Sequence, residues 1–201
     1  MADARLWAAS LNARPQGLLR INIPAAFGRR HVVPHLRDFL LEHPDIRIDT
    51  TLTDETVDLI ASGADFAVRI GALADSSLAA KRLAPQRRVL VASAAYLSER
   101  PPIDAPTDLA DHECLGFALQ PKPAWYFNPL GVPDAESSLE VTIQGRLRAN
   151  DSEALLDTAI AGLGVALLPT WLTGAKILAG RLSVILPQWE ALIAPGPDQA
   201  I

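Results

Sequence analysis

Three short stretches of the chain carry residue types that could hold a ligand. The turn Pro24-Ala25-Ala26-Phe27-Gly28 follows the apolar run Leu18–Ile23 and precedes an amphipathic pattern from Arg29 to His43. A helix that starts just past the carboxyl end of a buried strand turns unpaired N–H groups outward, which suits a small anion. Ala25 and Ala26 bring no hydroxyl, so backbone donors alone would do the holding. Arg69 closes a second apolar run, Ala64–Ile70. A guanidinium there must be paired or solvated. Asp65 or Asp54 could supply an ion pair, and a ligand carboxylate could equally be gripped in bidentate fashion. Asn150-Asp151-Ser152 reads as a helix N-cap.

Catalytic chemistry finds no pattern to stand on. His31 and His35 lie four apart on one helix, but HExxH is absent and no third acid ligand is evident, so a solvated pair is expected rather than zinc. Gly162-Leu163-Gly164 precedes a strand instead of following one, which fails the context a dinucleotide loop needs. GxSxG and GxxxxGK[ST] are missing, and nothing in the spacing of Ser, His and Asp suggests a triad. No enzyme activity, metal or cofactor is expected.

The elements that must position these residues alternate as strand and helix, the signature of an α/β sheet. After Leu18–Ile23, residues Val32, Leu36, Phe39, Leu40 and His43 share one helical face. A second strand follows Pro44 at Ile46–Thr51, and Asp54 is placed to cap a helix over Glu55–Ser62 that Gly63 ends. Ala64–Ile70 and Arg87–Ser93 read as strands. Seven prolines between Pro101 and Pro133 exclude long helices there. Strands resume at Leu139–Ile143 and Arg146–Arg148. A helix bearing Leu155, Thr158, Ala159 and Gly162 on one stripe leads into the buried strand Gly164–Leu168.

Composition narrows the partners. The 201 residues are 49% hydrophobic and 20% charged, with a formal charge of −5 and no basic cluster, so this chain alone is a poor nucleic-acid binder. The single Cys114 excludes an internal disulfide and fits a reducing compartment. No apolar run nears the roughly 18 residues of a membrane span, and Met1–Trp7 lacks signal-peptide character. A cytoplasmic protein without membrane contact is expected.

The residues also carry a resemblance. In order along the chain stand Gly17-Leu18-Leu19-Arg20, Phe27-Gly28, Phe39-Leu40, His43-Pro44, Asp58-Leu59-Ile60 and Asp65-Phe66-Ala67-Val68-Arg69-Ile70-Gly71. Ala95-Tyr96-Leu97, Asp108-Leu109, His112-Glu113-Cys114-Leu115, Gly145-Arg146-Leu147 and Asn150-Asp151 follow. Ala161-Gly162-Leu163-Gly164-Val165-Ala166-Leu167-Leu168-Pro169 and Gly180-Arg181-Leu182 complete the series. From Gly17 to Trp189 the chain resembles the effector-binding (substrate-binding) domain of LysR-type transcriptional regulators. The nearest subgroup has Arg-Ile-Gly after the third strand and Leu-Pro-x-Trp after the Gly-rich strand.

That resemblance implies a type II periplasmic-binding-protein-like α/β fold, two Rossmann-like lobes joined by crossing hinge strands around an inter-lobe cleft. Lobe I is expected over residues 15–92, with 197–201 starting a return strand, and lobe II over 93–196. Residues 1–14 would be the end of a linker helix or an N-terminal remnant. The family's N-terminal winged helix-turn-helix and C-terminal closing segment would lie outside this chain. The implied effector is a small inducer, a weak or aromatic acid, contacted by Pro24, Ala25, Ala26, Phe27, Thr53, Arg69, Gly71, Asn150, Asp151 and Ser152. Phe117 and Trp125 would line the pocket or pack in a core or loop. Relatives often place Ser or Thr where Ala25 and Ala26 stand. The family dimer implies contacts from Val33, Arg37 and Leu41 on the first helix and Leu156 and Ile160 on the lobe II helix. A homodimer, tetrameric in the full-length regulator, would reach DNA only through the N-terminal domain. The alternative is a transporter's solute-binding protein of the same fold.

Overall fold

The computed structural model describes residues 14–55, 58–71, 79–131 and 138–194. Its contacts divide into two units, 1–68 and 69–201. Among the described residues no helix is long and apolar enough to cross a membrane. The expected linker end over 1–14 (Arg14 apart) and the return strand over 197–201 lie outside the described residues.

In the first unit, β1 (Gly17–Ile23) pairs in parallel with β2 (Ile46–Leu52), from Gly17 opposite Ile46 to Ile23 opposite Leu52. β3 (Phe66–Ala67) pairs on the other edge of β1, giving the order β2-β1-β3. The expected strand over Ala64–Ile70 shortens to these two residues. Asp65 meets Arg20 with both its backbone and its carboxylate, its Oδ2 accepting the Arg20 N–H at 2.8 Å, so a side chain takes the donor a longer ladder would use.

Three abutting segments, Ala25–Phe27, a π-helical turn Gly28–Val32 and Val33–Glu42, make one helical run, α1. The helix can lie on the sheet because residue 28 has no side chain. A Cβ there would sit 2.6 Å from Leu52 Cδ2 and 3.2 Å from Ile23 Cγ2. The expected apolar stripe faces inward only in part. Val32, Leu36, Leu40 and His43 are half-buried, and Phe39, at the stripe's margin, is exposed and packs against His43 with centroids 4.7 Å apart and ring planes tilted by 56°. α2 is Leu59–Ser62 rather than Glu55–Ser62; residues 56 and 57 lie outside the described set. Its cap is Asp58, whose Oδ1 accepts the Ala61 N–H at 3.2 Å. Gly63 ends it at φ +64°.

The second unit is built on a five-stranded mixed sheet of order β10-β4-β9-β5-β8. Its members are β4 (Arg88–Ala92), β5 (Cys114–Phe117), β8 (Arg148–Ala149), β9 (Val165–Pro169) and β10 (Ser183–Ile185). β4, expected to close lobe I, belongs here instead: it pairs antiparallel with both β9 and β10. Its alternating side chains also enter two cores of this unit. Leu90 and Ala92 join Cys114, Val165 and Leu167 on one face, against Trp125, Phe127 and Val141. Those three come from the antiparallel sheet of β6 (Ala124–Pro129), β7 (Leu139–Thr142) and β11 (Trp189–Leu192), ordered β11-β6-β7. A short helix, α3 (Ala94–Ser98), follows β4. On the opposite face Val91, Leu115, Ala166 and Leu168 meet Leu155 and Leu156 of α4 (Ser152–Ile160) and Leu172 of α5 (Thr170–Leu178). A strand buried on both faces reads as a continuous apolar run, which is how Val165–Leu168 reads.

Candidate functional site

Each unit brings polar groups to the carboxyl ends of its parallel strands. In the first, the shared register of β1 and β2 ends them together, and the Thr53 N–H donates to the Ile23 carbonyl at 2.9 Å. Pro24 is the N-cap of α1 and gives no side-chain cap, so the first-turn N–H groups have no intrahelical acceptor. Gly28 donates to the Pro24 carbonyl at 2.8 Å and tightens the turn. Pro24 and Ala26 are buried, while Ala25, Phe27 and Thr53 are half-buried. The Thr53 hydroxyl accepts the Glu55 N–H at 3.2 Å, an internal bond that fixes its direction. The strand ends thus gather Ala25, Ala26, Phe27 and Thr53.

The sequence reading does not include Asn22. It is 2% exposed near the carboxyl end of β1, and its Oδ1 has no hydrogen-bond partner among the described residues. A buried carbonyl oxygen left unpaired carries its full desolvation cost, so it counts among this end's polar groups. The signal is an amide between two isoleucines, Ile21 and Ile23.

In the second unit, β5 and β8 run parallel, Phe117 opposite Ala149, and the Ala118 N–H reaches the Ala149 carbonyl at 2.8 Å. The chain leaves β8 directly into Asn150-Asp151-Ser152, so Phe117 and this cap share one sheet end. Asp151 is the N-cap of α4, its Oδ1 accepting the Glu153 N–H at 2.7 Å. Asn150 is exposed and Ser152 half-buried. A cavity of about 190 Å³ beside Phe117 is lined by Gln120, Ile143, Gln144 and Arg148. Arg69 and Gly71 are half-buried, and Gly71 adopts φ +131°.

Of the two readings of Trp125 the core one holds: it is 1% exposed and packs beside Phe127 and Val141. Leu156 is corrected. At 1% exposure it fills the core under α4 and offers no surface to a second subunit. Ile160 is half-buried against the same core. Val33 and Leu41 are exposed, Leu41 at 66%, and Arg37 pairs on the surface with Asp38 at 2.8 Å.

The remaining reactive groups are structural. The Tyr96 hydroxyl lies 3.0 Å from His112 Nδ1 and accepts the Glu113 N–H at 2.9 Å. Burial raises the Tyr96 phenol above its ordinary pKa and holds His112 below its own. Burial pushes the Cys114 thiol up to about 12, which removes the thiolate a nucleophile needs. His31 and His35 are exposed. Among the described residues no group of three His, Cys, Asp or Glu side chains could hold a metal ion.

The Gly162-Leu163-Gly164 stretch is explained by packing. Gly162 sits at φ +89°, and a Cβ on Gly164 would overlap the Glu113 carbonyl oxygen.

Known proteins resemble this chain along its length. Residues 12–195 match the family profile of the LysR substrate binding domain. The HTH-type transcriptional regulator PtxR of Pseudomonas aeruginosa is 34% identical over 181 residues, covering 90% of this chain and 56% of PtxR. The HTH-type transcriptional activator AaeR of Escherichia coli is 30% identical over 183 residues, covering 90% of this chain and 58% of AaeR. The chain thus spans rather more than half the length of these relatives. The regulatory domain of AphB from Vibrio vulnificus superposes with a TM-score of 0.75 at 27% identity, covering 92% of this chain and 89% of that one. That domain has the α/β fold of type II periplasmic-binding proteins. With the profile matched over most of its residues, this chain belongs to the LysR substrate-binding domain family.

Proposed function

We propose that the chain is the effector-sensing, dimerising domain of a LysR-type transcriptional regulator, working in the cytoplasm and catalysing no reaction. The observation that carries this reading is the family match over residues 12–195, shared with relatives named as transcriptional regulators. A solute-binding role in transport gains no support from these relatives. DNA contact is assigned to a winged helix-turn-helix domain outside the matched region.

The effector is a small weak or aromatic acid. The candidate contacts within the first unit are the N–H groups of Ala25, Ala26 and Phe27 and the Thr53 side chain. Those within the second are Phe117, the Asn150–Ser152 cap, Gly71 and, for a carboxylate, Arg69. An effector changes the output only by binding two arrangements of the domain unequally. Val33, Arg37 and Leu41 of α1 and Ile160 of α4 contribute to an isologous dimer contact.

Thermal unfolding of the 201-residue protein with benzoate, salicylate and 4-hydroxybenzoate tests the effector assignment. A ligand at 100 times its Kd adds about 2.7 kcal/mol, or roughly 5–10 °C for a chain of this size. Arg69→Ala should erase the shift for any carboxylate that produces one. A retained shift removes Arg69 from the site, and no shift with any acid removes the acid class. Sedimentation at tens of micromolar should find a dimer that Leu41→Glu dissociates; a monomer in the wild type refutes the interface.

A further inference from the structure

A second cavity in the second unit, about 540 Å³, touches none of the residues assigned above. Its walls include Leu90 of β4, Ile185 of β10, Trp189 of β11, and Leu130, Leu186 and Gln86 from connecting segments. The volume lies in the range that holds small molecules. Two features mark it as more than a packing gap.

Gln86 is only 8% exposed, and neither its Oε1 nor its Nε2 has a hydrogen-bond partner among the described residues. Leu186 sits at φ +51°, the one described non-glycine residue in the left-handed region. For a branched side chain that conformation is strained and must be imposed by its surroundings. The turn is pinned on both sides: Trp189 N–H donates to the Leu186 carbonyl at 2.9 Å, and Leu130 N–H to the Gln188 carbonyl at 2.9 Å. The strained turn thus lines the same cavity as an amide that lacks partners among the described residues.

We infer that this cavity is a second small-molecule site, taking a compact apolar body that ends in a cis-amide edge. The Gln86 carboxamide offers one donor and one acceptor side by side. A lactam or similar ring edge, with N–H and C=O adjacent, satisfies both in one planar pair. The amide lies sealed in the wall, so binding swings it toward the cavity and exchanges two unpaired atoms for two hydrogen bonds. A carboxylate would pair the Nε2 but set its charge against Oε1. A hydrocarbon would pair neither. The rim carries Arg87 and Arg88 beside Glu190, so an anion is attracted by charge, and it is the paired donor and acceptor of Gln86 that favour the lactam edge.

The test titrates 1(2H)-isoquinolinone, a bicyclic lactam, into the whole 201-residue protein, followed by saturation-transfer NMR. Isoquinoline, which keeps the rings and loses the N–H, is the control. The wild type should bind the lactam saturably at millimolar or lower concentration and isoquinoline at least tenfold more weakly. Gln86→Leu should lose at least tenfold for the lactam alone while unfolding no earlier than wild type. Val184→Trp, changed at a partly exposed wall residue of β10, should abolish lactam binding and serves if Gln86→Leu does not fold. Arg69→Ala should leave lactam binding unchanged, which separates this site from the effector site. No saturable binding, wild-type affinity in Gln86→Leu, or loss in Arg69→Ala overturns the inference without touching the proposed regulator role.

Discussion

Gly164→Ala should be among the most damaging single-methyl additions in this protein. The new Cβ would overlap the Glu113 carbonyl oxygen, with the Glu113 carbonyl carbon at 3.0 Å and its Cγ at 3.2 Å. That oxygen is held: it accepts the Val165 N–H at 2.8 Å, the bond that starts β9 beside β5. The clash is therefore with backbone, and no rotamer change relieves it. Moving β5 away breaks the hydrogen bond and leaves buried groups unpaired, at about 1–3 kcal/mol. Keeping the bond overpacks the sheet, at about 1–3 kcal/mol. The unfolded chain returns about 0.4–1 kcal/mol through its reduced freedom, so a net loss of about 1.3 kcal/mol follows. With a urea slope near 2 kcal/mol/M, the unfolding midpoint drops by about 0.6 M. Gly174→Ala is the control, because α5 has nothing within 4 Å of that Cβ. It should gain about 0.5–1 kcal/mol from helix propensity. A Gly164→Ala midpoint within about 0.3 M of wild type would refute the reasoning, since the cost would then lie below the slope's resolving power.

Other outcomes follow from the same structure. Asp151→Ala should cost about 1 kcal/mol through loss of the α4 cap, and Asp151→Ser should recover most of it in urea unfolding. With its thiol pushed up to about 12 and buried, native Cys114 should resist an aromatic disulfide reagent at pH 8 and react promptly in urea. Fast native labelling would contradict its burial. His112 is held below its usual 6.5 mainly by burial and then by Arg100, so the unfolded chain binds more protons than the folded one. Stability should therefore fall as the pH drops below about 6.5, and His112→Asn should flatten that slope between pH 6.5 and 5; an unaltered slope would assign it elsewhere.

What could be read beforehand followed the reach of local signals. β1, β2, β9 and α4 were legible because each pairs an apolar pattern with a clear boundary, Asp151 before α4 and Pro169 at the end of β9. The strand over Ala64–Ile70 was read too long, because an Asp65 carboxylate occupying Arg20 across 45 residues leaves no local trace. β4 falls in the second unit and not in lobe I for a related reason: apolar content marks a buried strand but not which strands flank it. At the site, the Pro24–Gly28 turn and the Asn150–Ser152 cap were legible from strand-turn-helix and capping grammar. The core position of Leu156 was not, because periodicity says which residues align and not which of two faces a neighbouring layer covers. Gln86 gave no signal at all.

The odd and even residues of β9 serve different masters: Val165 and Leu167 go to one core, Ala166 and Leu168 to the other. Adding or deleting one residue upstream of Val165 would exchange the two sets, forcing small groups into large gaps and large groups into small ones on both faces at once. Length changes in this protein's lineage are therefore tolerable in its peripheral loops, while the span from Gly164 to Pro169 can vary only by substitution.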